Sequence, residues 1–318
     1  MHHAKAGIDT KVTVVGAGNV GSNTARRIAE KDLAHEVVMI DIVDGLPQGL
    51  ALDINQSAPV ERFSTHVTGT NDYADTAGSD VCVITAGLPR KPGMSRMDLL
   101  DKNAEIVGGV TKQLVEHSPD TILIVVSNPL DEMTFLASLV SQLPKQRVLG
   151  MAGVLDSSRL RYFIAEKLEV GPYEVEAITL GSHGDQMVAL PRHATVQGKP
   201  LPELVDDAAI QELFQRTKDG GAEIVGYLKQ GSAFYAPSSS ATTMVASVIQ
   251  DDGGVHPTCA WTTGQYGIND VYLGVPAKLG KGGVDEIVEL ELNDEERAQL
   301  AEAADAIRSK CEELAARQ

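Results

Sequence analysis

Short apolar runs and longer mixed segments alternate along the first half of the chain. Lys11-Val12-Thr13-Val14-Val15, Val37-Val38-Met39-Ile40, Asp80-Val81-Cys82-Val83-Ile84-Thr85 and residues 121–126 are brief and rich in β-branched side chains. Near-continuous apolar runs of this length predict strands of a parallel sheet buried on both faces. Between them, residues 22–31, 46–56 and 99–117 read as helices, and another helix is expected just past residue 129. Arg147-Val148-Leu149-Gly150-Met151 predicts a last strand of the series, followed by a helix running to about residue 168. The pattern then changes. Val175 to Leu180 alternates as a single strand, 194–199 looks like a hairpin, and 208–230 reads as a long helix broken near Gly220-Gly221. Residues 238–250 predict another helix, while 255–261 and 271–275 predict strands of a separate antiparallel sheet. The chain closes on a charged amphipathic helix, 293–317, with Asn293 as its N-cap.

The first turn gives this alternation a chemical meaning. Gly16-Ala17-Gly18-Asn19-Val20-Gly21 follows the first strand and opens the first helix, the context that a dinucleotide-binding fingerprint requires. Gly16 suits the tight turn, Gly18 lets the backbone approach a pyrophosphate, and Gly21 allows close helix–strand packing. The second strand ends in Asp41, twenty residues past Gly21, where a carboxylate accepts from a ribose diol and repels a 2′-phosphate. NAD is therefore expected over NADP. The fold expected is α/β: an N-terminal Rossmann doubly wound parallel sheet, 1–150, followed by an α+β catalytic domain, 151–318. The boundary falls near 150–153, and both halves must meet to build the site.

Three further clusters carry candidate chemistry. Leu88-Pro89-Arg90-Lys91-Pro92-Gly93-Met94-Ser95-Arg96-Met97 sets three cations in a loop at a strand's carboxyl end. It reads either as a solvated basic loop or as a lid that brings arginines onto a bound anion. Asp156 and Arg159 lie three apart on one helix face, as an ordinary local ion pair or as two site residues with different tasks. In Thr179-Leu180-Gly181-Ser182-His183-Gly184-Asp185, small neighbours leave an imidazole accessible just past a strand. Histidine is the side chain best suited to proton transfer near neutral pH. His193 and His256 are expected to be structural.

Composition narrows the function classes. With 44 acidic and 27 basic residues among 318, the net charge of −17 argues against nucleic-acid and anionic-membrane partners. An anionic substrate must then meet a local arginine cluster. The acidity itself has two readings, surface solubility or adaptation to high salt. No apolar run approaches the roughly 20 residues of a membrane span, and the N-terminus lacks the layout of a secretion signal. Cys82, Cys259 and Cys311 are far apart, with no metal-ligand spacing, so no metal is expected and a reducing, cytoplasmic setting is.

Gly16 to Gly21, Ser127-Asn128-Pro129, Leu155-Asp156-Ser157-Ser158-Arg159 and Gly181-Ser182-His183-Gly184-Asp185 occur in one order along the chain. In this the whole chain resembles the lactate/malate dehydrogenase superfamily. The loop containing Arg90, where lactate dehydrogenases usually carry glutamine, and Ser238-Ser239-Ser240 after Tyr235-Ala236-Pro237 are similar to the lactate-dehydrogenase-like malate dehydrogenases. The resemblance implies reversible hydride transfer between NADH and oxaloacetate to give (S)-malate, in the tricarboxylic acid cycle, by a homotetramer or homodimer. It implies His183 as proton donor and base, with Asp156 as its partner. Arg159 would clamp the carboxylate next to the reacting carbon, Arg90 the distal carboxylate, and Arg96 would polarise the carbonyl. Asn128 would hydrogen-bond the substrate oxygen or the nicotinamide-side ribose. Cofactor contacts are implied at Gly16, Ala17, Gly18, Asn19, Val20, Gly21, Asp41, Asn103, Ser127 and Asn128. The rivals are a lactate dehydrogenase acting on a monocarboxylate, which would leave Arg90 unpaired, and a dinucleotide-binding protein without turnover. The NAD-dependent glycosidase branch, which needs a metal, is disfavoured by the lack of a cysteine–histidine ligand pair.

Overall fold

Strand residues in the first half alternate between two apolar layers, which is why their sequences read as nearly continuous hydrophobic runs. In a computed structural model, residues 9–88, 96–184 and 186–317 are described. The loop residues 89–95, with Arg90 and Lys91, lie outside them, as does Asp185 of the histidine motif. The N-terminal half runs β1 (Lys11–Val15), α1 (Asn19–Glu30), β2 (Glu36–Ile40), α2 (Leu46–Glu61), β3 (His66–Thr70), β4 (Val81–Ile84), α3 (Arg96–His117), β5 (Ile122–Val125), α4 (Leu130–Ser141) and β6 (Val148–Gly150). The strands order as β3-β2-β1-β4-β5-β6, all parallel. Val12, Val14, Val81 and Val83 face one layer with α1 and α2, whereas Val15, Cys82 and Ile84 face the other with α3 and α4. Helices on both faces of a parallel sheet make the expected doubly wound fold. β3 is absent from the pattern of apolar runs. His66-Val67-Thr68-Gly69-Thr70 holds a single large apolar residue, and the strand forms at the sheet's edge by pairing with β2.

The second half adds α5 (Gly153–Leu168), β7 (Val175–Glu176), β8 (Thr179–Gly181), β9 (Met187–Ala189), β10 (Thr195–Val196), β11 (Lys199–Pro200), α6 (Asp207–Leu228), α7 (Tyr235–Gln250), β12 (Val255–Thr263), β13 (Asn269–Gly280), β14 (Gly283–Ile287) and α8 (Asp294–Ala315). Three expectations are corrected here. The antiparallel strands are not a separate sheet: β12 pairs with β6 at Cys259–Gly150, so β12, β13, β8 and β9, with β14 beside β13, continue the parallel sheet to eleven strands. The alternating run at Val175 is two strands, with β7 in a small sheet beside β10 and β11, and β8 in the large one. Helix α6 runs unbroken through Gly220 and Gly221. The expected hairpin is β10–β11. Asn293 caps α8 as expected, its Oδ1 accepting from Glu296 N at 2.8 Å while Glu296 Oε2 accepts from Asn293 N.

The seams of this sheet are lined by glycine where chains come closest. Gly150 lies opposite Cys259, and a Cβ there would sit 2.7 Å from the Cys259 Cβ. Gly274 of β13 pairs with Gly181 of β8, and a Cβ on Gly274 would overlap the Gly181 carbonyl oxygen. Since β8 leads directly into His183, Gly274→Ala is expected to disturb both fold and activity. Forced overpacking at a strand crossing costs about 1–3 kcal/mol. Chemical denaturation should show that loss, with a fall in turnover larger than in cofactor affinity; unchanged stability would mean that β8 yields freely.

Candidate active site

Four strands of the parallel sheet deliver their carboxyl ends to one crevice. β1 leads into Gly16, β2 into Asp41, β4 towards Ala86 and β5 towards Asn128. The order reverses direction between β1 and β4, and ligands of open parallel sheets bind at that switch. Gly16 has φ of +99°, a left-handed conformation that glycine adopts freely. A Cβ on Gly21 would overlap the Gly16 carbonyl oxygen, so the helix can approach the turn this closely only with glycine there. By contrast, among the described residues a Cβ at Gly18 would meet nothing within 4 Å, and no side chain caps the N-terminus of α1. The exposed first turn, with Gly18 and Asn19 at its mouth and Val20 behind, therefore keeps a helix terminus able to receive an anion. Asp41 is held ready: its Oδ2 accepts from Ala17 N at 2.6 Å and its Oδ1 from Val43 N at 3.0 Å.

The floor of the crevice is tied together by Asn103 and Ser127. Asn103, on α3, is 1 % exposed. Its Oδ1 accepts from Leu88 N at 2.7 Å, and its Nδ2 donates to Leu88 O and to Asn128 O at 3.2 and 2.6 Å. Both amide hydrogens are thus engaged by backbone, so its visible part is to brace the crevice wall. Ser127, also buried, donates to Ala86 O at 2.6 Å. Asn128 is exposed at the crevice and precedes Pro129 across a cis peptide.

The second half supplies the titratable groups. His183 Nδ1 lies 2.8 Å from Asp156 Oδ2, with Asp156 buried in the first turn of α5. A carboxylate only accepts, so Nδ1 carries the hydrogen and Nε2 is left to exchange a proton. Burial pulls the His183 pKa down, but the charge and hydrogen bond of Asp156, with Asp131 behind, outweigh it and raise the pKa above the ordinary value. Arg159, one turn along α5, places Nη1 3.6 Å from Asp156 Oδ1. Among the described residues, neither that oxygen nor Arg159 Nε has a hydrogen-bond partner, although both atoms are buried. Burial lowers the Arg159 pKa and Asp156 opposes it. An incompletely paired, largely buried guanidinium beside an imidazole has the chemistry that a carboxylate ligand would satisfy. Of the other two arginines, Arg90 lies outside the described residues; Arg96 opens α3, its side chain likewise outside.

The residues match known proteins along nearly all of the chain. Residues 10–150 match the lactate/malate dehydrogenase NAD-binding domain and 153–318 the family's alpha/beta C-terminal domain. The chain is 55 % identical to malate dehydrogenase of Salinibacter ruber over 96 % of either chain. It is 53 % identical to that of Chloroherpeton thalassium, over 96 % of this chain and 98 % of that one. The chain belongs to the lactate/malate dehydrogenase family. A solved Salinibacter ruber malate dehydrogenase superposes with a TM-score of 0.92 at 52 % identity, covering 96 % of this chain and 97 % of that one. A lactate dehydrogenase from Cryptosporidium parvum, solved with lactic acid and NAD, reaches 0.92 at only 38 % identity, covering 96 % and 98 %. The family activity here is that of an NAD-dependent malate dehydrogenase acting on a dicarboxylate. The first turn of α1, which no side chain among the described residues caps, and the poised Asp41 fit that cofactor.

One buried group at this dehydrogenase site is missing from the sequence expectations. Asp131, in the first turn of α4, accepts from His183 N at 3.2 Å and from Cys259 Sγ at 3.3 Å. Burial, with Glu132 adjacent, pushes Asp131 up to about 6 against the pull of His183 and Cys259. Its only signal in the chain was an acid two residues after the Asn128-Pro129 turn. His193 and His256 have the structural partners expected, Glu291 O at 2.9 Å and Ser247 Oγ at 2.8 Å. Ser247 also donates to Asp252, which sets an acid near His256.

Removing the charge of Asp156 takes away the main opposition to burial at His183 and leaves only Asp131 to support the imidazolium. In Asp156→Asn, the alkaline limb of the pH profile for oxaloacetate reduction is expected to move to lower pH, because the imidazolium loses its counter-charge. The sign for stability follows. Folding raises the His183 pKa, so the pair's contribution is complete below the ordinary value of 6.5 and is lost as pH rises through the raised one. Profiles of kcat/KM for both proteins measure this; an unmoved limb would dissociate Asp156 from the titration.

Proposed function

We propose that His183 is the proton donor in oxaloacetate reduction and the base in malate oxidation, with Asp156 orienting it and Arg159 holding the carboxylate beside the reacting carbon. The observation that supports this best is the 2.8 Å contact of His183 Nδ1 with Asp156, on the same carboxylate that Arg159 approaches. When bound, NADH supplies a hydride to the carbonyl carbon and NAD⁺ accepts one in the reverse direction. As that carbon is reduced, the His183 imidazolium gives its Nε2 proton to the carbonyl oxygen, forming the hydroxyl of (S)-malate. In reverse, neutral Nε2 takes the hydroxyl proton, and Asp156 stabilises the imidazolium that forms. Arg159 orients the substrate through its guanidinium, because a buried carboxylate needs a paired cation.

The remaining roles belong to the same reading. Arg90 binds the distal carboxylate and Arg96 polarises the carbonyl, an electrostatic role strongest in a site closed to water. Asn128 hydrogen-bonds the substrate oxygen or the nicotinamide-side ribose. Gly16 to Gly21, Asp41, Ser127 and Asn128 contact the cofactor, while Asn103 braces the wall on which it rests. Residues 1–150 act as the cofactor domain and 151–318 as the substrate domain. The chain works as a homodimer or homotetramer in the cytoplasm, as part of the tricarboxylic acid cycle. Exposed Leu52 and Val60 on α2 and Tyr227 on α6 support self-association, and three buried free cysteines suit a reducing compartment.

Two substitutions test the assignment. His183→Asn should lower kcat by about 10²–10⁴-fold while sparing NADH binding, the range typical of general acid–base catalysis. Near-normal turnover would remove His183 as the donor. Arg90→Gln should weaken oxaloacetate use more than pyruvate use by a few kcal/mol in kcat/KM terms. Equal losses on both substrates would take Arg90 off the distal carboxylate.

A further inference from the structure

Two consecutive glycines in the middle of a long helix call for a physical reason. Each costs about 1 kcal/mol relative to alanine in a helix interior, yet α6 carries Gly220 and Gly221 without a break across its 22 residues. The reason is the side chain lying against them. A Cβ on buried Gly220 would sit 3.2 Å from Arg159 Cδ and 3.6 Å from its Nε. A Cβ on Gly221 would meet Arg159 Nη2 at 3.6 Å and Nη1 at 3.9 Å. Both glycines therefore face one arginine, whose arm lies on the bare backbone of α6. The two helices are pinned together one turn further on. Arg216 of α6 stacks on Phe163 of α5 at 4.2 Å, and pairs with Glu166 of α5 at 2.6 Å and Glu223 of α6 at 2.9 Å. The contacts with Phe163 and Glu166 join α6 to α5 close to Arg159.

We infer that Gly220 is a positioning residue for substrate binding: lacking a Cβ, it seats the Arg159 side chain and so sets the direction in which the carboxylate clamp points. The inference rests on the reading of Arg159 as that clamp. A carbon–carbon approach of 3.2 Å is tighter than the optimal 3.5–4.0 Å. In Gly220→Ala the arm must shift by a few tenths of an ångström, towards Asp156 or into the site. Gly221→Ala makes only an ordinary contact and should be milder.

The test compares Gly220→Ala, Gly221→Ala, Arg159→Ala and the double variant Gly220→Ala/Arg159→Ala. Each is measured for kcat and KM with oxaloacetate, NADH affinity by fluorescence titration, and Tm. Gly220→Ala is expected to raise the oxaloacetate KM about tenfold, as small misplacements of a positioning group do. Its kcat should change less, with NADH affinity kept and Tm not lowered, since alanine favours the helix. In the Arg159→Ala background the same substitution should add nothing to KM, because its target is gone. A wild-type KM in Gly220→Ala, with Arg159→Ala still impaired, overturns the role of Gly220 alone. An Arg159→Ala protein with normal KM overturns the clamp itself. Parallel losses of Tm, NADH affinity and kcat in Gly220→Ala, or a further KM rise in the double variant, make Gly220 a packing residue only and also overturn the inference.

Discussion

One buried carboxylate governs the site. Asp156 offers one oxygen to the His183 imidazole at 2.8 Å and turns the other towards Arg159 at 3.6 Å. The difference between those distances matters. A bidentate ion pair would have consumed the guanidinium and left little of it for a ligand. At 3.6 Å, Asp156 offsets part of the cost of burying Arg159 without satisfying its hydrogen-bond donors. The same anion thus holds the imidazole tightly and the guanidinium loosely, the order of precision that the proposed proton carrier and carboxylate clamp need.

That arrangement is possible because both halves of the chain share one sheet. α5, which carries Asp156 and Arg159, starts just past β6, and His183 follows directly on β8. β6 and β8 are linked through β12 and β13 by close pairings at Gly150–Cys259 and Gly274–Gly181. Asp131 adds a third anchor, because α4 follows β5 and its first turn accepts the His183 backbone N–H. Three strand exits therefore converge on one imidazole. Two domains joined only by a linker would leave the 3.2 Å contact of Asp131 with His183 N to the mercy of hinge motion; a continuous sheet does not.

Much of this was legible in the chain, and what was not has definite physical causes. Strands buried on both faces announce themselves by apolar density, so β1, β2, β4 and β5 were plain, as was the fingerprint at Gly16 to Gly21. The edge strand β3 needs no such density and was missed. Sheet membership is a long-range property: nothing near Cys259 records that it will lie beside Gly150, so the antiparallel strands read as independent. The i,i+3 spacing of Asp156 and Arg159 placed them on one face but could not say which way that face looked. Asp131 was hidden because its role runs through a backbone N–H 52 residues away. A single sequence carries no sign of such a partner.

Gly220 and Gly221 show the same limit from another side. Glycine in a helical pattern reads as a break when only local propensity is weighed, and propensity alone favours ending the helix there. Tertiary packing reverses that preference. The contacts of Arg216 with Phe163 and Glu166 join α6 to α5, and the buried residues Ile210, Leu213 and Phe214 pack with Leu160 and Ile164. Those contacts outweigh the cost of two glycines and keep the helix whole. A glycine pair tolerated inside a continuous, well-packed helix then marks the place where the backbone itself is a contact surface. Here that surface meets Arg159, the side chain proposed to hold the substrate's carboxylate.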